Sequence, residues 1–109
     1  MPTTYKVLGQ SNPSATTATT LYTVPPSTQT IVSTITVANQ TATAGTYRIA
    51  VRVAGAALAA AQYLAYDVSL PGNASDTLTL GLTLGATDVI TVYSSASTFG
   101  FSAFGSELS

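Results

Sequence analysis

In TYRIAVRV, Thr46 to Val53, two of the chain's three cationic side chains, Arg48 and Arg52, stand four residues apart. Two guanidiniums so close in sequence are a candidate anion clamp, because each presents a planar fork of donors suited to a carboxylate or phosphate. The other ionisable side chains that could join them are few: Lys6, Asp67, Asp76, Asp88 and Glu107. Histidine and cysteine are absent, which excludes a Ser/His/Asp triad, a Cys/His pair and any imidazole or thiolate metal site. A glycosidase needs two carboxyls about 5 to 9 Å apart across a sugar. Asp76 and Asp88, however, each enter a predicted strand from a turn, where aspartate commonly accepts hydrogen bonds from nearby backbone amides. Asp67, in YLAYDVSL with Tyr63 and Tyr66 close by, is placed to form a structural ion pair with an arginine. Lys6 has no cofactor signature around it. An enzyme is therefore not expected, and neither is a cofactor.

The remaining motifs are weak. PGNASD offers Asn73, Ser75 and Asp76 as oxygen donors in one turn, but the spacing of a calcium-binding EF-hand is missing. Asn39-Gln40-Thr41 and Asn73-Ala74-Ser75 match the glycosylation acceptor pattern, which chance explains in a chain this rich in Thr and Ser. Gly81 and Gly85 are followed by no lysine and open no helix, so they make no phosphate loop. The six tyrosines offer stacking surfaces for a sugar or a partner protein, although Tyr47 falls on an apolar strand face and reads as core.

These side chains must be positioned by strands. In TIVSTITVA, Thr30 to Ala38, period two places Ile31, Ile35 and Val37 on one face and Val32, Thr34 and Thr36 on the other. TYRIAVRV turns Tyr47, Ile49, Val51 and Val53 inward against Arg48, Ala50 and Arg52. DTLTLGLTL alternates strictly, with Leu78, Leu80, Leu82 and Leu84 opposed to Thr77, Thr79, Gly81 and Thr83. DVITVYS, TFGFSAF, YKVLG, LYTV and YLAYDVSL bring the expected number to about eight. Pro25-Pro26 must end a strand, since neither proline can donate to a ladder. NQTATAG, PGN and GATD carry turn chemistry. AGAALAAAQ, Ala54 to Gln62, is too short for a stable helix and reads as a loop or single helical turn crossing between sheets. Ser11 to Thr20, SNPSATTATT, reads as a flexible arm or long loop. The expected fold is all-β, an antiparallel, jelly-roll-like β-sandwich forming one domain over 1–109.

Charged residues are 6% of the chain, where about 25% is usual, and threonine and serine take the places of lysine and glutamate on half-exposed strands. A net charge of −1 provides no field to attract nucleic acid or an anionic membrane. Neither partner is expected. The opening MPTTYKVLGQ lacks a basic stretch followed by an apolar one, so no signal peptide is expected, and no run is long enough to cross a bilayer. A sandwich has open edges, which monomers commonly guard with lysine or other charges, and a net charge near zero favours association. The chain is thus expected to live in a permanent symmetric assembly of its own copies, a homotrimer.

YKVLGQ, TTLYTVP followed by IVSTITVANQ, then TYRIAVR, LAYDVSLPGN, LTLGLTLGATDVITVYSSAS and FSAFGSEL, together spanning Tyr5 to Leu108, resemble a family of small virion proteins of tailed bacteriophages. The resemblance lies in strand and turn pattern. It implies a structural role in the particle and no catalytic residues. In order of expectation, that role is a head-decoration or cement protein bridging capsomers of the major capsid protein, a tail, fibre or baseplate module that touches a host glycan, or a non-viral adhesive module. If the first holds, the Ser11 to Thr20 segment is expected to order on meeting the capsid or a neighbouring subunit.

Arg48 and Arg52, on one face of one strand, lie about 13 Å apart at roughly 3.3 Å per residue, too far to clamp one small carboxylate. They read as a solvent-facing or interface-facing pair. The interface candidates are Arg48, Arg52, Asp67 and Glu107, with Asp76 as a further acid that an arginine could meet within the chain or across subunits.

Overall fold

A computed structural model of the protein describes residues 3–109. Eight strands follow one another: β1 (Thr3–Ser11), β2 (Thr19–Thr23), β3 (Gln29–Asn39), β4 (Gly45–Arg52), β5 (Tyr63–Leu70), β6 (Ser75–Leu84), β7 (Val89–Ser94) and β8 (Phe99–Leu108). They form two four-stranded antiparallel sheets, ordered β1-β8-β3-β6 and β2-β7-β4-β5. The chain pairs β1 with β8, β2 with β7, β3 with β6 and β4 with β5. That is one long hairpin folded over so that successive rungs alternate between sheets, the jelly-roll arrangement.

The core lies between the sheets. Leu8, Val32, Ile35, Val37, Phe99, Phe101 and Ala103 face Leu21, Tyr22, Tyr47, Ile49, Leu70, Ile90 and Val92. Tyr47 and Phe101 meet edge to face, with ring centroids 6.2 Å apart, the geometry that the ring quadrupoles favour. Polar backbone ends are tied off by Asn39, which is buried. Its amide donates to the carbonyls of Thr43, Leu70 and Pro71, and its Oδ1 accepts from the Thr41 amide. The acceptor pattern at Asn39 is therefore occupied by structure.

Several expectations about facing change because the strands carry bulges. In β3 the register slips between Val32 and Thr34 against both neighbours, which moves the inward set from Thr28, Thr30 and Val32 to Ile35, Val37 and Asn39. Val32 is thus fully buried and Ile31 is 51% exposed, the reverse of the simple alternation. An extra residue rotates everything after it by one face. The partner residue at this slip is Gly105, where a Cβ would collide with the Ile31 carbonyl oxygen. DTLTLGLTL is interrupted the same way: Gly81 takes a φ of 62°, Leu80 turns outward, and Leu78, Leu82 and Leu84 pack on the core. Val53, expected inside, lies just past the end of β4 and is exposed.

The alanine-rich segment does contain single helical turns, at Val53–Gly55 and Ala60–Gln62. It joins β4 to β5, which are neighbours in one sheet, so it is a long hairpin loop and does not cross between sheets. Every other connection between successive strands does cross, among them residues 12–18, from β1 in one sheet to β2 in the other. This connection is anchored: the Asn12 amide donates to the carbonyls of Ser97 and Phe99, Pro13 is buried, and the Thr16 amide donates to Ser94 O.

Candidate functional site

All seven charged side chains, three basic and four acidic, find partners within the chain. Arg48 meets Asp67, with Nε 2.6 Å from Oδ1 and Nη2 3.2 Å from Oδ2. Lys6 meets Glu107 at 3.0 Å. Arg52 donates from Nε to Ala56 O and from Nη2 to Gly55 O. Asp76 accepts from the Tyr47 hydroxyl at 2.8 Å. Asp88 accepts from the Gly85 and Ala54 amides, each at 2.9 Å, the turn role its sequence position indicated. Of the four interface candidates, Arg48 and Asp67 are brought together, while Arg52 is turned to its own loop and Glu107 lies in a different network.

Two tyrosine hydroxyls join the sheets. Tyr47 on β4 reaches Asp76 on β6, and Tyr22 on β2 reaches both Thr30 on β3 and Glu107 on β8. Thr30 and Val37, opposite Glu107 and Asp76 in register, lie about 23 Å apart along β3, so the phenols act as struts at two ends of the sandwich. Burial, reinforced by the Glu107 carboxylate, pushes the Tyr22 hydroxyl up to about 12. Burial and Asp76 raise Tyr47 further still. Glu107 is held below the usual carboxylate range, first by the Tyr22 hydrogen bond and then by Lys6. Nothing in the spacing of Tyr22 and Glu107 announces this network, because it needs the two sheets stacked.

The most elaborate surface cluster is on the outer face of β2-β7-β4-β5. The Arg48 guanidinium lies 4.2 Å from the ring centroid of Tyr66 on β5 and 4.2 Å from that of Tyr93 on β7. Its proton is held more tightly than in a free arginine, chiefly by the Asp67 hydrogen bonds. Asp67 sits in a bulge where β5 carries one residue more than β4 between Val68 and Ala65, with a φ of 50°. Five other described non-glycine residues, Thr16, Ser27, Ala54, Asn73 and Thr87, also have positive φ, and aspartate tolerates the left-handed region, so this conformation serves the bulge. Here the bulge lets Ala65 and Val68 both pack on the core while the carboxylate turns back to Arg48. Tyr66 also stands edge-on to Tyr63, centroids 4.9 Å apart. These two rings, with Leu58, Ala59 and Ala60 of the hairpin loop, line an open depression of about 600 Å3. Tyr66 was recognisable as Asp67's neighbour, but Tyr93 was not, since only the β4-β7 register places it opposite Arg48.

The outer face of β1-β8-β3-β6 has a different character. One row across all four strands reads Tyr5, Ser106, Ile31, Thr83. Tyr5 is 83% exposed, with Val7 and Ile31 also open to solvent, and small Ser106 between the large residues leaves a cleft of about 290 Å3. The next row reads Val7, Phe104, Thr34, Thr79, and a further one Gln10, Ser102, Thr36, Thr77. Among the described residues no charged side chain is placed on this face: Lys6 alternates with outward Tyr5 and Val7, and Glu107 and Asp76 turn to Tyr22 and Tyr47 of the other sheet.

Fold and surface together define an eight-stranded jelly-roll sandwich with one uncharged flat face and one tyrosine–arginine face. No protein-family model matches this chain, and no curated protein or solved structure matches it either.

Proposed function

We propose that this chain is a structural protein of a tailed-bacteriophage virion, a decoration or cement protein that attaches to the outer capsid as a homo-oligomer, with three copies as the expected number. The observation that carries the reading is the uncharged outer face of β1-β8-β3-β6, with Tyr5, Val7 and Ile31 exposed on it. A monomer gains nothing from large apolar groups in water, and a contiguous apolar patch of this kind marks an interaction surface. With four strands about 4.8 Å apart and roughly eight residues long, the face measures about 500 Å2, so a contact on it buries roughly 1,000 Å2 in total, the low end for specific recognition. One copy would hold weakly; several copies linked in an oligomer would hold firmly through avidity. The jelly-roll order adds an argument by analogy alone, since this fold recurs in viral capsid and lectin domains.

The test is copy number and attachment. Particles carrying this chain should show it among their most abundant proteins, and Tyr5→Lys with Ile31→Lys should abolish rebinding to stripped particles while leaving the circular dichroism spectrum unchanged. A faint band in purified particles would move the protein to the tail, fibre or baseplate. A dilution-resistant monomer mass by light scattering, with normal rebinding by the double variant, would end the decoration reading.

A further inference from the structure

We infer that the depression beside the Arg48 stack is a binding site for a neutral saccharide. Its volume, about 600 Å3, lies within the roughly 300 to 1,000 Å3 of small-molecule sites. Two of its five lining residues are tyrosines set nearly perpendicular, at 85°, so the wall offers both a ring face and a ring edge. Tyr66 is 57% exposed and leads from the apolar wall to a polar pair beside it, since its ring also carries Arg48. In that pair, next to the lining residues, the Arg48 fork spends Nε and Nη2 on Asp67, which leaves the other Nη as a donor. The half-exposed Asp67 carboxylate keeps lone pairs free as acceptors.

A sugar ring matches this combination. It has an apolar C–H face to lay on a tyrosine and a hydroxyl edge that donates and accepts at once. A purely apolar side chain from a partner seated on Tyr66 would crowd the neighbouring Arg48–Asp67 pair without replacing its water, which costs free energy. An anion or cation would have to compete with a pair that already neutralises itself. The loop wall is also pre-ordered: Arg52 holds the Gly55 and Ala56 carbonyls, Asp88 holds the Ala54 amide, and Gln62 bonds to Ala59 N and Ala57 O. Little ordering entropy then remains to be lost on binding. The site lies on the sheet opposite the uncharged face, so the inference does not depend on what that face attaches to.

Because the chain has six tyrosines and no tryptophan, intrinsic tyrosine emission reports directly on the rings. The full chain is titrated with maltotriose, cellotriose, galactobiose and N-acetylchitotriose, and with 3′-sialyllactose as the acidic arm, followed by tyrosine fluorescence and amide chemical shifts. The expected result is saturable binding of at least one neutral sugar, with shifts concentrated in residues 58–67. Tyr66→Ala, at an exposed position, should weaken it about tenfold, as expected for loss of one stacking contact. Ala60→Arg, which fills the depression from the loop, should abolish it with an unchanged thermal midpoint. No saturable shift with any neutral sugar, binding of the sialylated probe alone, or binding undiminished by Ala60→Arg would overturn the inference. So would shifts at these residues from a leucine- or phenylalanine-bearing peptide with none from the sugars.

Discussion

The strut between Tyr47 and Asp76 gives a quantitative handle on how the two sheets are held. Tyr47→Phe keeps the ring, and with it the edge-to-face contact with Phe101, and removes one O–H···O bond of 2.8 Å. A hydrogen bond to a charged group contributes about 1.5 to 3 kcal/mol net. Asp76 is half-exposed and can recover water, which places the loss near the lower end, about 1.5 kcal/mol. Asp76→Ala instead leaves the phenol, in a residue 1% exposed, without its acceptor, at about 1 to 3 kcal/mol. For a chain of 109 residues, an unfolding entropy of about 2.1 cal/mol/K per residue makes 1.5 kcal/mol equal to roughly 6 to 7 °C in Tm. Calorimetric melts of the wild type, both single variants and the double variant at pH 7 should give a coupling of about 1 to 2 kcal/mol. The alkaline limb supplies an independent check. The folded state holds the Tyr47 proton above the ordinary value, whereas the unfolded chain releases it near pH 10, so stability is full below about pH 10 and falls as pH rises beyond it. Tyr47→Phe should show a shallower alkaline loss than the wild type. A coupling within about 0.3 kcal/mol of zero, or an identical alkaline slope, would refute the strut.

Three further outcomes follow from the geometry. Ile31→Thr should change stability by less than about 0.5 kcal/mol, whereas Val32→Thr, one residue on, should cost about 1 to 3 kcal/mol by burying a hydroxyl; equal effects in urea melts would contradict the β3 bulge. Gly105→Ala should cost about 2 kcal/mol or more, because its Cβ meets the Ile31 carbonyl and the strand has no room to shift; a melt matching the wild type would show the approach to be looser. Glu107 has its folded pKa lowered by Tyr22 and Lys6, so its contribution is present above the unfolded value near pH 4.3 and is lost as pH falls through the folded one. Glu107→Gln should therefore be less stable at neutral pH and show a flatter acid limb, and an unchanged acid midpoint would count against the network.

Much of the architecture was legible because each strand had to satisfy period two locally. TYRIAVR, YLAYDVSL and DVITVYS fall within a residue of observed strands, and Pro25-Pro26 follows the end of β2. The turn role of Asp88 was readable from GATD, since the bonded Gly85 amide is three residues away. The pairing of Asp67 with an arginine was readable as chemistry, there being few partners to choose from. The bulges were not legible. Val32 and Ile31 are both β-branched and apolar, so their order on the two faces depends on where β8 and β6 slip against β3. The Arg48 stack was half legible: Asp67 and Tyr66 share a strand, but Tyr93 comes from β7.

By itself the sequence determined the all-β class, the approximate number of strands, the absence of imidazole and thiol chemistry, and surfaces nearly free of charge. These follow from residue type and local alternation, which act within a few positions along the chain. Only the tertiary structure decided which apolar residues remain outside, that every charge is answered within the chain, and that Tyr63, Tyr66, Tyr93 and Arg48 share one face. Those outcomes rest on strand register and sheet stacking, where a slip of a single residue turns the following side chains from core to solvent.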